Sequence, residues 1–269
     1  NRDRSPVPDE RPEKDPRRWL FQSELEVRGA EGDASFVRHG LNRHEDSERE
    51  ILQMLYRNEI EFAVGHGIAT HAVLAEGSRD RAVCLSSKWV PWYDVAQTET
   101  PSADDWPGLA DLELDMQSLA ELSDVELFAT LRVLTREYQA WIETQQGRVD
   151  AGELAEHEKA AKSVLGKCVY TLGRLSDGIE VLESDADALE AFRFANHAMA
   201  TQRRRSVYAL KRRRGEEIVL DEIERPTWRT FQLAFLLLNV PALADPSVRD
   251  RVDPRDAVAD LIWFPTGGG

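Results

Sequence analysis

The stretch "ELSDVELFATLRVLTREYQAW", residues 121–141, decides the fold class of this chain. Its large apolar side chains recur every three or four residues, which is the period of one face of an α-helix. The stripe comprises Leu119, Leu122, Val125, Phe128, Leu131, Leu134, Tyr138 and Trp141. Ser123 is followed by Glu126, the spacing of a helix-capping box. We therefore predict a long amphipathic helix, interrupted at Ser123, that buries its stripe against other helices.

Two further stripes extend this pattern toward the C-terminus. One has the heptad-like spacing 4-3-4-3-4-3 and comprises Ala161, Leu165, Cys168, Leu172, Leu175, Ile179 and Leu182. Gly166 and Gly173 interrupt it, and each lowers helix propensity by about 1 kcal/mol relative to Ala. Ser184 and Asp187 predict the cap of a third helix that carries Leu189, Phe192 and Met199. Amphipathic helices with short connections predict a helical bundle over residues 108–215.

The residues before the bundle have a different character. Residues 1–17 are proline-rich and charged, and we predict a disordered leader there. Residues 18–107 predict a mixed, strand-rich unit. Residues 19–27 and 34–40 are expected to pair as a hairpin across "RGAEGD", and a short helix is expected from a capping pattern at residues 47–50. Strands are expected on both sides of "EGSRD". The fold class is thus predicted as α+β.

Residues 216–269 are expected to begin another domain. "GEEIVLDEIERP" reads as a strand or loop that ends the bundle. Trp228, Phe231, Phe235 and Leu238 predict a helix that stops at Pro241. After a polar loop, the chain closes with "LIWFPTGGG", in which an apolar strand enters three glycines. A strand that delivers the chain into a glycine-rich turn is typical of the first half of a phosphate-binding loop, although a glycine run is also typical of a linker.

A candidate nucleotide site follows from these two segments. In the pattern G-x-x-x-x-G-K-[ST], Gly269 falls directly before the lysine position, and Phe264 takes the place of the first glycine. The backbone N–H groups of such a turn form an anion nest. Gln232, in "WRTFQ", carries an amide that both donates and accepts, which suits the edge of adenine; the alternative is a polar interruption on an amphipathic helix. The candidate nucleotide-binding residues are Gln232, Thr266, Gly267, Gly268 and Gly269.

The charge distribution gives a second candidate surface. The formal net charge of −15 argues against a nucleic-acid binder as an average. Residues 203–214, "RRRSVYALKRRR", nevertheless hold seven cations and no acid. They are Arg203, Arg204, Arg205, Lys211, Arg212, Arg213 and Arg214. These side chains are candidates for contacts with a DNA backbone. The alternative is a solvated helix end whose cations complement the helix dipole.

Other kinds of site have little support in the sequence. His66 and His71 lack the H-E-x-x-H spacing of a zinc site, so we expect no metal site there. Trp89, Trp92 and Tyr93 suit either base stacking or core packing. No carboxylate pair and no G-x-S-x-G pattern points to a catalytic residue. Two distant cysteines indicate a reducing cytoplasm, and no apolar run is long enough to predict a membrane span.

Several segments resemble the DrmA family, the helicase-like proteins of DISARM anti-phage defence systems, within helicase superfamily 2. The resemblance covers about residues 18–269. It is carried by "EFAVGHGIATH" (61–71), "VPWYDVAQTE" (90–99), "AFRFANHAMATQR" (191–203), "FQLAFLLLN" (231–239) and "LIWFPTGGG" (261–269).

The resemblance implies that this chain is the N-terminal region of a longer ATPase, with residues 216–269 starting a RecA-like motor domain. It implies ATP and Mg²⁺ as cofactors of the longer protein, with none bound to this chain, which lacks the phosphate-loop lysine and should not hydrolyse ATP. It also implies DNA and the companion protein DrmB as partners. The chain's own role is then a wall of the DNA channel or a docking face for the partner. The alternative is a non-enzymatic interaction scaffold without nucleic-acid contact.

Overall fold

The computed structural model describes residues 23–38, 47–58, 61–64, 68–88, 106–255, 257 and 259–261. The chain divides into two compact units. Among the described residues, the first unit takes those up to 38 and those from 55 to 88, and the second takes 47–54 and 106–261. The predicted leader at residues 1–17 lies outside the described residues.

The first unit is an antiparallel sheet built around one central strand. Its strands are β1 (Glu26–Arg28), β2 (Phe36–Val37), β3 (Ala69–Leu74) and β4 (Arg81–Lys88). β3 pairs with β4 along one edge, and β1 and β2 pair with β4 one after the other along the opposite edge. The buried side chains of β4 are Ala82 and Cys84, which share one face of the strand.

The predicted hairpin between residues 19–27 and 34–40 is wrong, because β1 and β2 pair with β4 and not with each other. Arg28 lies opposite Cys84, and Phe36 lies opposite Ala82, so β4 advances two residues while the other edge advances eight. The intervening residues form a short 3₁₀ turn in which Gly32 has a φ of 80°. The chain therefore leaves the sheet and re-enters it in the same direction. The predicted strands around "EGSRD" are confirmed as β3 and β4.

The second unit is helical. Its helices are α1 (Ser47–Leu55, the last residue of which clusters with the first unit), α2 (Met116–Glu121), α3 (Asp124–Asp150), α4 (Glu158–Ser184), α5 (Ala186–Arg213), α6 (Thr230–Ala244) and α7 (Arg249–Val252). The predicted break at Ser123 is confirmed. The Ser123 hydroxyl accepts from the N–H of Glu126, and the Glu126 carboxylate accepts from the N–H of Ser123 at 3.1 Å. Together with the sheet of the first unit, these helices confirm the α+β fold class.

Two apolar clusters hold the helices together. The larger one joins α3, α4, α5 and α6 and includes Leu127, Leu131, Leu175, Ile179, Leu182, Phe192, Leu233, Leu237 and Val240. The smaller one joins α1, α3 and α4 and comprises Met54, Ile142, Val149, Ala160, Ala161 and Leu165. The predicted stripes thus supply ten of the twenty buried residues in these clusters. Val125 is an exception in the first turn of α3, with 81% of its surface exposed.

Two local expectations about helix ends need correction. The cap of α5 is Asp185 rather than Ser184: its carboxylate accepts from the N–H groups of Asp187 and Ala188, at 2.9 and 3.1 Å. Ser184 ends α4, so a single residue joins the two helices. Pro241 also does not stop α6, which continues to Ala244. The buried face of α6 carries Leu233, Leu237 and Val240, not the predicted aromatic stripe.

Candidate functional site

Gln232 lies in the first turn of α6 and is half-buried. Its side-chain oxygen accepts a hydrogen bond from the backbone N–H of Arg229, at 3.0 Å. This bond closes the first turn of the helix in the manner of a capping box. A carbonyl oxygen has two lone pairs, and the amide nitrogen has two N–H groups. Gln232 therefore serves the helix start and keeps hydrogen-bonding capacity of the kind that the edge of adenine requires.

The predicted phosphate loop lies at the C-terminal end of the chain. Thr266, Gly267, Gly268 and Gly269 lie outside the described residues, so their role stays a prediction. Leu261 would begin the predicted strand; it is 86% exposed and belongs to no strand. His66 and the aromatic residues Trp89, Trp92 and Tyr93 also lie outside the described residues, whereas His71 lies in β3.

The segment that leads toward this loop is attached to α4 by Arg174. The two terminal guanidinium nitrogens of Arg174 donate to the two carboxylate oxygens of Asp260, each at 2.7 Å. Its Nε lies 3.4 Å from a carboxylate oxygen of Asp250, in α7. The Asp260 hydrogen bonds raise the pKa of Arg174, and the Arg174 guanidinium holds the pKa of Asp260 below its ordinary value of 3.8. Both charges therefore persist at neutral pH.

The seven predicted cations lie at the C-terminal end of α5, and three of them contact the loop that follows. Arg204 donates to the carbonyl of Leu220 at 3.0 Å and lies 3.6 Å from the Asp221 carboxylate. Lys211 lies 4.0 Å from the carboxylate of Glu216, and Arg212 donates to the carbonyl of Glu216 at 3.5 Å. These three side chains therefore hold the chain as it leaves the helix. These contacts are consistent with the alternative interpretation of Arg204, Lys211 and Arg212 as part of an ordinary helix end that does not contact DNA.

The other four cations differ. In the part of the chain that the structure describes, Arg203, Arg205, Arg213 and Arg214 take part in no ion pair. Arg205 and Arg213 lie two turns apart and line an open groove of about 520 Å³ along α5. Phe194 lines the same groove and is 72% exposed. The groove combines two unpaired guanidinium groups with an accessible aromatic ring.

Phe194, His197 and Gln202 also line this groove, and no motif in the sequence singles them out for that role. A signal for them exists in the helix period. Phe192, Asn196 and Ala200 are the buried residues of α5, and residues two positions further along the helix fall away from that face. Helical phase alone could thus have placed Phe194 and Gln202 on the face of α5 opposite its buried residues. Arg174 gave no comparable signal.

Neither a metal site nor a membrane-spanning helix is indicated among the residues that the structure describes. No group of three or more His, Cys, Asp or Glu side chains is placed to hold a metal ion within the described ranges. None of the described helices is long and apolar enough to cross a bilayer.

Comparison with known proteins identifies a relative. No protein-family model matches the chain. The chain is 33% identical over 267 residues to the DISARM protein DrmA of Bacillus paralicheniformis. The match covers 96% of this chain but 22% of that protein, where it falls in the N-terminal part. The chain is therefore homologous to an N-terminal region of DrmA, and the resemblance predicted from its sequence is confirmed.

Proposed function

We propose that this chain is the N-terminal part of an ATP-dependent DNA helicase or translocase that acts in DISARM anti-phage defence. Within it, the groove of α5 contacts DNA as part of the wall of a DNA channel. Gln232 contacts adenine, and Thr266 to Gly269 open the phosphate loop of the longer protein, whose cofactors are ATP and Mg²⁺. The homology to DrmA supports the defence assignment.

The observation that supports the DNA contact is that Arg205, Arg213 and Phe194 line the same open groove of α5. Eight residues of helix separate the two arginines by about 12 Å along the axis. Such a spacing suits contacts with separate phosphates of one backbone. An exposed aromatic ring beside cations is the combination that binds nucleic-acid strands without sequence preference.

The negative net charge of the chain does not decide against this contact. Charges separated by more than about 8 Å are largely screened at physiological ionic strength. The potential in the groove is therefore set by its own side chains and by their immediate neighbours. Arg205 and Arg213 are among the residues that line the groove, and no acidic side chain is among those lining residues, so we expect a positive local potential there.

DNA binding at two salt concentrations tests the proposal. The anisotropy of a labelled DNA oligonucleotide is measured with the unmodified chain and with the double variant R205E/R213E. Binding should fall more than about tenfold in the variant, and the slope of log K against log salt should shrink by about 1–2. Arg79 and Lys167 are exposed cations that form no ion pair among the described residues, so R79E/K167E is a control with the same charge change.

The control should keep its affinity within about a factor of two, because it leaves the groove intact. An equal loss in both double variants would show that net charge, not the groove, determines binding. Absence of salt-sensitive binding by the unmodified chain would overturn the DNA contact.

A second candidate is a docking module that does not touch nucleic acid. It is favoured by the acidic balance of the chain and by the local contacts of Arg204, Lys211 and Arg212. DrmB, the companion that the family resemblance implies, would then be the partner. Co-purification of DrmB with the chain, without salt-sensitive DNA binding by the chain, would support this role.

A further inference from the structure

Arg174 is a partly buried cation of the helical unit that forms ion pairs outside its own helix. Its side chain is only 12% exposed. Besides the bidentate pair with Asp260 and the contact with Asp250, its Nη2 lies 3.4 Å from the carbonyl oxygen of Leu238, in α6. Its guanidinium also lies 5.9 Å from the centre of the Tyr170 ring. One side chain thus joins α4, α6, α7 and the segment that follows α7.

The geometry of the Asp260 contact restricts the backbone more than a single ion pair does. A guanidinium that meets both oxygens of a carboxylate fixes the direction of the carboxylate as well as its distance. Lysine presents a point charge on a flexible stem and does not reproduce this geometry. Arg174 therefore sets both the position and the orientation of Asp260 relative to α4.

Asp260 has little regular structure around it. α7 ends at Val252, and the described residues from 253 to 261 include no further helix or strand. Asp260 lies six positions before Thr266 in the sequence. The attachment to α4 is thus the last fixed polar contact before the predicted phosphate loop, among the residues that the structure describes.

We propose that Arg174 is a positioning residue that holds the segment entering the nucleotide site against the helical bundle, so that nucleotide binding and the bundle are mechanically coupled. This inference rests on the proposed function, since it requires that Thr266 to Gly269 open a phosphate loop. Arg174 itself contacts no nucleotide in this scheme. It acts through Asp260.

The test uses the full-length protein, in which the phosphate loop and the motor domain are complete. The KM for ATP and kcat are measured for the unmodified protein and for R174Q, R174K, D260N and R174Q/D260N. R174Q and D260N should each raise KM about tenfold, with a smaller change in kcat. The double variant should be no worse than either single variant, because both remove the same contact. R174K should resemble R174Q.

The control is R132Q. Arg132 forms an ion pair with Glu183 that joins α3 to α4 without touching the segment after α6. R132Q should leave KM unchanged and should leave hydrogen exchange of residues 249–261 unchanged, whereas R174Q should accelerate that exchange. If the unmodified protein binds ATP but R174Q alters only the melting temperature, Arg174 is merely structural and the inference is overturned. If the unmodified full-length protein binds no ATP, the proposed nucleotide site is overturned and this inference with it.

Discussion

Gly178 in α4 packs directly against the backbone of Leu237 in α6: a Cβ atom built on Gly178 would lie 2.1 Å from the Leu237 carbonyl oxygen. This carbonyl is the one that the residue four positions later would normally satisfy in an α-helix. That residue is Pro241, which has no N–H. The close approach of α4 therefore occurs where the proline leaves a backbone acceptor of α6 without its helical donor.

Replacement of Gly178 by Ala should destabilise the protein by about 1–3 kcal/mol, because the added methyl group forces two tightly packed helices apart. Gly166 and Gly173 lie in the same helix with no atom within 4 Å of a built Cβ. G166A and G173A should each stabilise the protein by about 0.5–1 kcal/mol through helix propensity. Urea unfolding followed by circular dichroism measures all three. A stabilised G178A would contradict the packing seen here.

These glycines show how far the sequence alone reaches. The apolar stripe of α4 predicts the helix and its buried face, because helical period is encoded locally. Gly166, Gly173 and Gly178 are indistinguishable by that criterion. Only Gly178 meets another helix, and that helix comes about sixty residues later in the chain. α6 also continues through Pro241, and the Leu237 carbonyl that the proline leaves without a helical donor lies against Gly178, a contact that a local helix-stop rule cannot include.

The sheet and the cation run at residues 203–214 were predicted only in part, because both depend on contacts between residues far apart in the sequence. A turn signal between two short strands predicts a hairpin, yet β4, more than forty residues further on, pairs with both strands. The cation run was found in the sequence from its composition. Its division into paired and unpaired members depends on where residues 216–222 return against α5, as the contact between Arg204 and Leu220 shows. Composition carries no information about that return.

The hydrogen-bonded pair of Asn196 and Trp228 should be sensitive to mutation. The Trp228 indole N–H donates to the Asn196 side-chain oxygen at 2.7 Å, and the Asn196 amide donates to the carbonyl of Phe192 at 2.9 Å. Asn196 is fully buried. N196A leaves the indole N–H without its partner and should cost about 1–3 kcal/mol.

Asn239 provides the control for this pair. Its amide makes an equivalent bond within its own helix, to the carbonyl of Phe235 at 2.8 Å, and it is only half-buried. N239A should therefore lose less stability than N196A when thermal unfolding is followed by tryptophan fluorescence. Equal losses would mean that the tertiary bond to Trp228 contributes nothing beyond a local amide contact.

The capping box at the start of α3 should contribute measurably to stability. The Ser123 hydroxyl accepts from the backbone N–H of Glu126, and an alanine at position 123 has no side-chain acceptor for this N–H. S123A should destabilise the protein by about 1 kcal/mol. Thr144 is an exposed hydroxyl of the same helix that bonds only the carbonyl of Ala140. T144A should be neutral or slightly stabilising in the same urea titration, and a loss equal to that of S123A would argue against capping.

The attachment of Asp260 to Arg174 should make stability depend on acid pH. The hydrogen bonds from Arg174 lower the pKa of Asp260 from its ordinary value of 3.8. A carboxylate with a lowered folded pKa stabilises the native state above its unfolded pKa, and that contribution disappears as pH falls through the folded pKa. Arg174 stays protonated over this range, so the contribution does not change toward alkaline pH.

The stability difference between the unmodified chain and D260N should therefore be constant from neutral pH down to about 4 and shrink below it. D250N is the control variant, because it removes another carboxylate that contacts Arg174, at 3.4 Å, and leaves the bidentate pair with Asp260 in place. Parallel loss of stability by the unmodified chain and D260N below pH 4, measured from urea midpoints, would show that the bidentate pair does not control this dependence.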